Sequence, residues 1–172
     1  PSLGGPDVTP YVGLYLGAIV AANLLVATFG PSVVILNAFL FIGLDLTCRD
    51  RLHDAWRGRW LVAKMGALIA AGGAMSYILN AGAGQIALAS TVAFSVAAVL
   101  DGLTYAVLGD RARLVRVNGS NVVGAAADSL IFPTLAFGAL LPVIVLGQFI
   151  AKVAGGFVWS VILAIPEWRR AS

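Results

Sequence analysis

Long apolar runs separated by short turn signals dominate the chain, and no stretch alternates with the two-residue period of a membrane barrel strand. Six apolar segments can be delimited, at about 11–29, 33–48, 60–79, 85–108, 121–136 and 141–165. Gly30-Pro31 closes the first, and the run Asn80-Ala81-Gly82-Ala83-Gly84 closes the third. Only Gly138 to Leu140 separate the last two, which predicts an antiparallel pair. A hydrocarbon core of ~30 Å is crossed by ~20 helical residues. The pattern therefore predicts an all-α polytopic membrane protein, with six transmembrane helices packed as one compact domain.

Composition narrows the class. Of 172 residues, 60% are apolar and 11% charged, and mean hydropathy is +0.94. A soluble domain carries about 25% charged residues, so an ordinary cytosolic enzyme is excluded. A disulfide-stapled module is excluded too, because Cys48 is the sole cysteine.

Charge placement predicts orientation. Nine of the eleven Lys and Arg fall in three segments. These are Arg49, Arg51, Arg57 and Arg59 after the second span, Arg111, Arg113 and Arg116 after the fourth, and Arg169 and Arg170 at the end. Six spans put all nine on one face, together with both termini, and positive charge stays cytoplasmic. A pI near 9.4 is then explained by topology, with no nucleic-acid partner required. No Lys or Arg precedes Arg49, so the first segment reads as a retained helix rather than a signal peptide.

The ionisable residues inside the spans carry the chemistry. A charge at mid-bilayer costs roughly 2.5–3.5 kcal/mol on insertion scales, so it faces the bundle interior and finds a partner. Lys64 lies near the cytoplasmic boundary and can snorkel. Asp45, near the same boundary, is expected to cap or to pair with Arg49. At ~1.5 Å rise per residue, Asp128 is ~10 Å inside the fifth span and Lys152 ~16 Å inside the sixth. They are read either as a structural ion pair or as the lining of a cavity, and the two readings are compatible. Asp101 is ~10 Å inside the fourth span, with Tyr105 one turn on along the same face. Asn121, Gly124, Ala125 and Asp128 share one stripe of the fifth helix, and Gln148 and Lys152 share one of the sixth. Asn23 in the first span also needs a partner. Gly13 and Gly17 form a GxxxG, read as a close-packing surface. Pro133 would free the carbonyl of Ser129 and kink the fifth helix. Small residues around two acids and several amides describe a cavity for a flat polar molecule. The single histidine, His53, falls in an arginine-rich connection and is expected to be exposed; no metal site or cofactor site is read.

At these residues the chain resembles the vitamin-uptake-transporter-like family of queuosine precursor transporters, nearest to its actinobacterial and phage-type members. The likeness covers roughly residues 35 to 155. It rests on Arg49-Asp50, on Ala89-Ser90-Thr91-Val92-Ala93-Phe94 before Asp101, and on Ser120-Asn121-Val122-Val123-Gly124 leading to Asp128-Ser129-Leu130-Ile131-Phe132. Leu135-Ala136-Phe137-Gly138 and Gly147-Gln148 followed by Lys152 complete it. The run from Ser120 to Lys152 is its specific part. The chain departs from the family at Ala98, where many relatives have Glu or Gln, and at Trp159-Ser160-Val161, where many have Asp-Pro.

The resemblance implies a transporter in a bacterial cytoplasmic (inner) membrane that imports 7-cyano-7-deazaguanine or its aminomethyl relative. Its implied partners are the deazapurine and the lipid bilayer; a homo-oligomer and an energising partner are both compatible with it. Asp128 or Asp101 would accept the adjacent N–H and NH2 donors of the guanine edge. Gln148 and Asn121 would serve the carbonyl or ring nitrogens, and Lys152 the carbonyl or cyano group. Tyr105 or Phe132 would stack on the ring, and Ser129 and Asn23 complete the implied site. The alternatives are a binding subunit for another vitamin-like molecule working with an energising module and, more remotely, an intramembrane aspartyl protease. Against the protease, the acids stand in Leu100-Asp101-Gly102 and Ala127-Asp128-Ser129 rather than in Tyr-Asp and Gly-x-Gly-Asp. No catalytic residue is assigned.

Overall fold

The computed structural model describes residues 8–56 and 60–171, and among these the chain is helical with no strand. Arg57 and Arg59, two of the cationic residues that set the expected orientation, lie outside the described residues, as do the side chains of Arg169 and Arg170. Five stretches are long and apolar enough to cross a membrane: Thr9–Ala55, Leu61–Leu79, Ala81–Val107, Asn118–Phe137 and Pro142–Leu163. The first, at 47 residues, is far longer than one crossing needs.

That first stretch is folded back on itself. Helix α1 spans Thr9–Phe29 and gives way to a 3-10 turn over Gly30–Val33. Gly30 sits at φ 65°, a left-handed conformation that only glycine adopts without strain. Helix α2 then covers 34–55, built from Val34–Asn37, a π-helical turn at Ala38–Ile42, and Gly43–Ala55. In a straight helix, Ala22 and Asn37 would stand ~22 Å apart. Instead Asn37 Nδ2 donates to the Ala22 carbonyl at 2.8 Å, which a reversal of the chain explains.

Helix α2 runs one and a half to two turns past the boundary that hydrophobicity predicts. The expected end at Cys48 followed from the charges that begin at Arg49. The structure keeps Arg49, Arg51 and His53 helical, buries Arg49 and half-buries His53. The physical reason is phase: Asp45, Cys48, Arg49 and Leu52 lie on one face, and that face is buried.

The remaining helices are α3 (Leu61–Leu79), α4 (Gly84–Val107), α5 (Arg113–Phe137) and α6 (Pro142–Ala171). Between α3 and α4, Asn80 Oδ1 accepts from Gly82 N at 2.9 Å and caps a 3-10 turn over Ala81–Ala83. Helix α5 stays α-helical across Pro133 and ends at Gly138, with φ 69°. The four residues between α5 and α6 make them antiparallel neighbours.

Each helix packs chiefly on two others, with α1 also touching α4, so the bundle closes in the order α1, α3, α4, α5, α6, α2 and back to α1. The α4–α5 pairing is the most extensive. It is tightest at Gly124, where a Cβ would meet the Ala97 carbonyl and Asp101 Cβ, both at 3.4 Å. At its other end Gln85 Nε2 donates to the Ala136 carbonyl at 3.2 Å, serving a backbone acceptor in the last turn of α5. The α2–α6 seam is closer still. A Cβ on Gly43 would lie 2.6 Å from the Gly155 carbonyl carbon, and one on Gly155 would collide with the Phe39 carbonyl. Thr47 Oγ1 donates across this seam to the Gly156 carbonyl at 3.2 Å. Outward-facing residues such as Val62, Ile78 and Val143 are 79–83% exposed, as a lipid-facing surface requires.

The GxxxG expectation is corrected. Nothing lies within 4 Å of a Cβ built on Gly13 or on Gly17, so this stripe faces away from the bundle and packs no helix of the chain. Tyr15, Ala18, Ile19 and Ala22, on the opposite face, are buried instead.

Candidate functional site

Two polar groups lie inside the bundle. The first surrounds Lys152, which α6 places among neighbouring helices with 1% of its surface exposed. Its Nζ stands 2.7 Å from Asp128 Oδ2 and donates to Ser129 Oγ at 3.1 Å. The sequence expectation of an Asp128–Lys152 pair is met. Asp128 Oδ1 and Gln148 Nε2 are both buried without a hydrogen-bond partner. An acceptor and a donor so placed are each missing an interaction worth about 1–3 kcal/mol.

Both residues line the same cavity, together with Asn23, Asn37, Ser90, Phe94, Phe132 and Lys152. Apolar walls come from Ala22, Val26, Val34, Ala38 and Ile42. Asn23 Nδ2 donates to Ser76 Oγ at 3.0 Å, fixing the amide between α1 and α3. The space open to the centre of a water molecule is ≈ 20 Å³, room for about one water. The polar lining expected for a heterocycle is thus assembled, but the hollow is closed down. This corrects the expectation of a preformed, heterocycle-sized space: Phe94 and Phe132 occupy the walls where small residues alone would have left room.

The second group joins α2, α4 and α5, and it gathers predicted residues that do not reach the cavity. Arg49 Nη2 donates to Asn121 Oδ1 at 3.2 Å, and Asn121 Nδ2 donates to Asp50 Oδ2 at 3.2 Å. The carboxylates of Asp101, Asp50 and Asp45 all act on the Arg49 charge. Tyr105 is covered by the Arg116 guanidinium, 3.9 Å from its ring centroid. Asn121 and Asp101 therefore belong with Arg49, and Tyr105 with Arg116, rather than with the cavity. The anticipated convergence of all these residues on one hollow is not found. Lys64, as expected of a boundary lysine, is exposed, and its Nζ lies 5.1 Å from the Trp56 ring centroid.

Asn37, Ser90 and Phe94 escape a reading by charge because each is an ordinary residue in a long apolar run. Arg49 escapes because a cluster of arginines looks like a loop. The detectable signal was periodicity, with Asp45, Arg49 and Leu52 following Ala38 and Ile42 down one face. Among the described residues no group of three or more His, Cys, Asp or Glu is placed to hold a metal ion.

Residues 12–165 match the profile of the family described as "Putative vitamin uptake transporter". No curated protein and no solved structure matches the chain.

Proposed function

The chain belongs to the vitamin uptake transporter family, and from that premise we propose that it imports a queuosine precursor of the 7-deazaguanine class across a bacterial cytoplasmic membrane. The observation that carries this reading is the pair of unsatisfied polar atoms in one cavity, Asp128 Oδ1 and Gln148 Nε2. A 7-deazaguanine ring offers the matching groups. Its N1–H and exocyclic NH2 are adjacent donors for a carboxylate, and its carbonyl is an acceptor for an amide or ammonium. Phe132 and Phe94 supply aromatic faces for the flat ring. Lys152 holds one oxygen of Asp128 and leaves the other for ligand.

A cavity of one water's size belongs to a closed state of the import cycle. Substrate then binds when α2 and α6, which provide six of the lining residues between them, part from one another. The two arms of Thr9–Ala55 each cross the bilayer in this reading, giving six crossings with both termini cytoplasmic. Asp101 and the Arg49 network occupy the cytoplasmic half.

The test is uptake of labelled 7-cyano-7-deazaguanine by cells that lack its synthesis. Wild-type protein should restore accumulation and Asp128→Asn should abolish it at equal membrane abundance. Uptake unchanged by Asp128→Asn and by Gln148→Leu would remove the cavity from the mechanism.

A further inference from the structure

Among the described residues five charged side chains are buried in the bundle: Asp45, Asp101 and Asp128 against Arg49 and Lys152. Three carboxylates face two cations, and uncompensated charge in a bilayer is costly. Asp128 is taken by Lys152 at 2.7 Å. Arg49 reaches across to Asn121 on α5, and Asp101, Asp50 and Asp45 all act on its charge. Asp101 and Asp45 each keep an Oδ1 with no hydrogen-bond partner, and the more deeply buried of the two, at 3% against 9% exposed, is Asp45.

Its position is as informative as its isolation. Asp45 lies three residues beyond Ile42, which lines the cavity, and four residues before Arg49, on the same face of α2. The charged and titratable groups around it come from every helix packed there. Arg49, Asp50 and Cys48 are on its own helix, Tyr15 on α1, Asp128 on α5 and Lys152 on α6. Asp45 thus stands between the substrate cavity and the arginine network, within the electrostatic reach of both.

We propose that Asp45 carries the coupling proton of this transporter. In the closed state it is the neutral acid, which brings the enclosed charge to zero. In the cycle a proton from water on the outer side binds the carboxylate, moves inward with the substrate, and is released to water on the cytoplasmic side as Asp45 turns toward Arg49. One proton enters with each substrate molecule, and nothing else is consumed. This coupling rests on the import reading, but its first test does not.

In protein reconstituted in lipid at neutral pH, infrared spectra should contain the carbonyl stretch of a buried protonated carboxylic acid. Asp45→Asn should remove that band and Asp45→Glu should shift it. A band that survives in Asp45→Asn, or no band in the wild type, overturns the proposal. The second test uses proteoliposomes and labelled 7-cyano-7-deazaguanine. An inward gradient of about one pH unit supports about tenfold accumulation at one proton per substrate. Wild-type protein should reach it, whereas Asp45→Asn should exchange labelled for unlabelled substrate at the wild-type rate and accumulate none. Accumulation by Asp45→Asn equal to wild type, or wild-type accumulation indifferent to the gradient, is the overturning result. Absence of exchange by the wild type itself would count against the imported compound, leaving the infrared band to judge the proton.

Discussion

Lys152 and Asp128 depend on one another because neither can reach water. Removing one partner of a buried pair strands the other and costs about 3–5 kcal/mol, whereas replacing both with neutral groups is close to neutral. Lys152→Gln and Asp128→Asn should each lower the thermal midpoint of the purified protein markedly. The double variant should regain most of it, and none of the three should import substrate. Recovery of stability without recovery of uptake separates the pair's structural part from its binding part, and a scanning melt with an uptake assay reads both. The sequence made this pair visible because two opposite charges at similar depth on adjacent helices have nowhere else to go. It did not expose Asn37, whose donor closes the α1–α2 hairpin, since an amide's partner here is a backbone carbonyl that no residue pattern encodes.

Glycines show how an element's context decides what a residue does. Gly155 sits where a side chain would strike the Phe39 carbonyl, in the π turn of α2, while Gly17 faces open space. Gly155→Ala should destabilise the bundle by pushing α2 and α6 apart. Gly17→Ala should leave the melting point equal or slightly raised, since alanine favours a helix over glycine by about 1 kcal/mol. Equal effects from the two would mean that the α2–α6 seam is not the tight contact it is in the structure. The same seam offers a lock. Ile35 Cγ1, where a cysteine would carry its sulfur, would lie 3.0 Å from a Cβ on Gly147, so cysteines at both positions should form a bridge across the seam. If α2 must leave α6 to admit substrate, the oxidised Ile35→Cys, Gly147→Cys variant should lose uptake and regain it with reductant. Uptake insensitive to oxidation, with the bridge verified by mass, would place the opening elsewhere. Helix existence was plain from hydrophobic runs, but helix length was not. Charged first or last turns let α2 and α5 extend beyond their apolar segments, because helical hydrogen bonds continue wherever a face remains to be buried.

At the scale of the molecule, a closed ring of helices organises two enclosed polar groups, one at the cavity and one around Arg49. The proposed orientation, with the arginines at the ends of α2 and α5 cytoplasmic, predicts that a cysteine introduced at Gly109 is labelled only from the cytoplasmic side. One at Gly138 should be labelled only from outside, and intact-cell labelling with an impermeant maleimide distinguishes the two. Labelling of Gly109→Cys from outside would reverse the proposed direction of import. Residue type alone makes the chain helical and membrane-embedded and turns Asp128, Lys152 and Gln148 inward, because the cost of exposing a charge or an amide to lipid does not depend on its neighbours in space. Which inward groups meet is a property of the packed bundle. Helix rotation and the order of helices around the ring sent Asn121 to Arg49 and Tyr105 to Arg116, put Asn37 and Ser90 in the cavity wall with Lys152, and closed that cavity to ≈ 20 Å³. Those outcomes depend on how six faces pack at once, and no single segment contains that information.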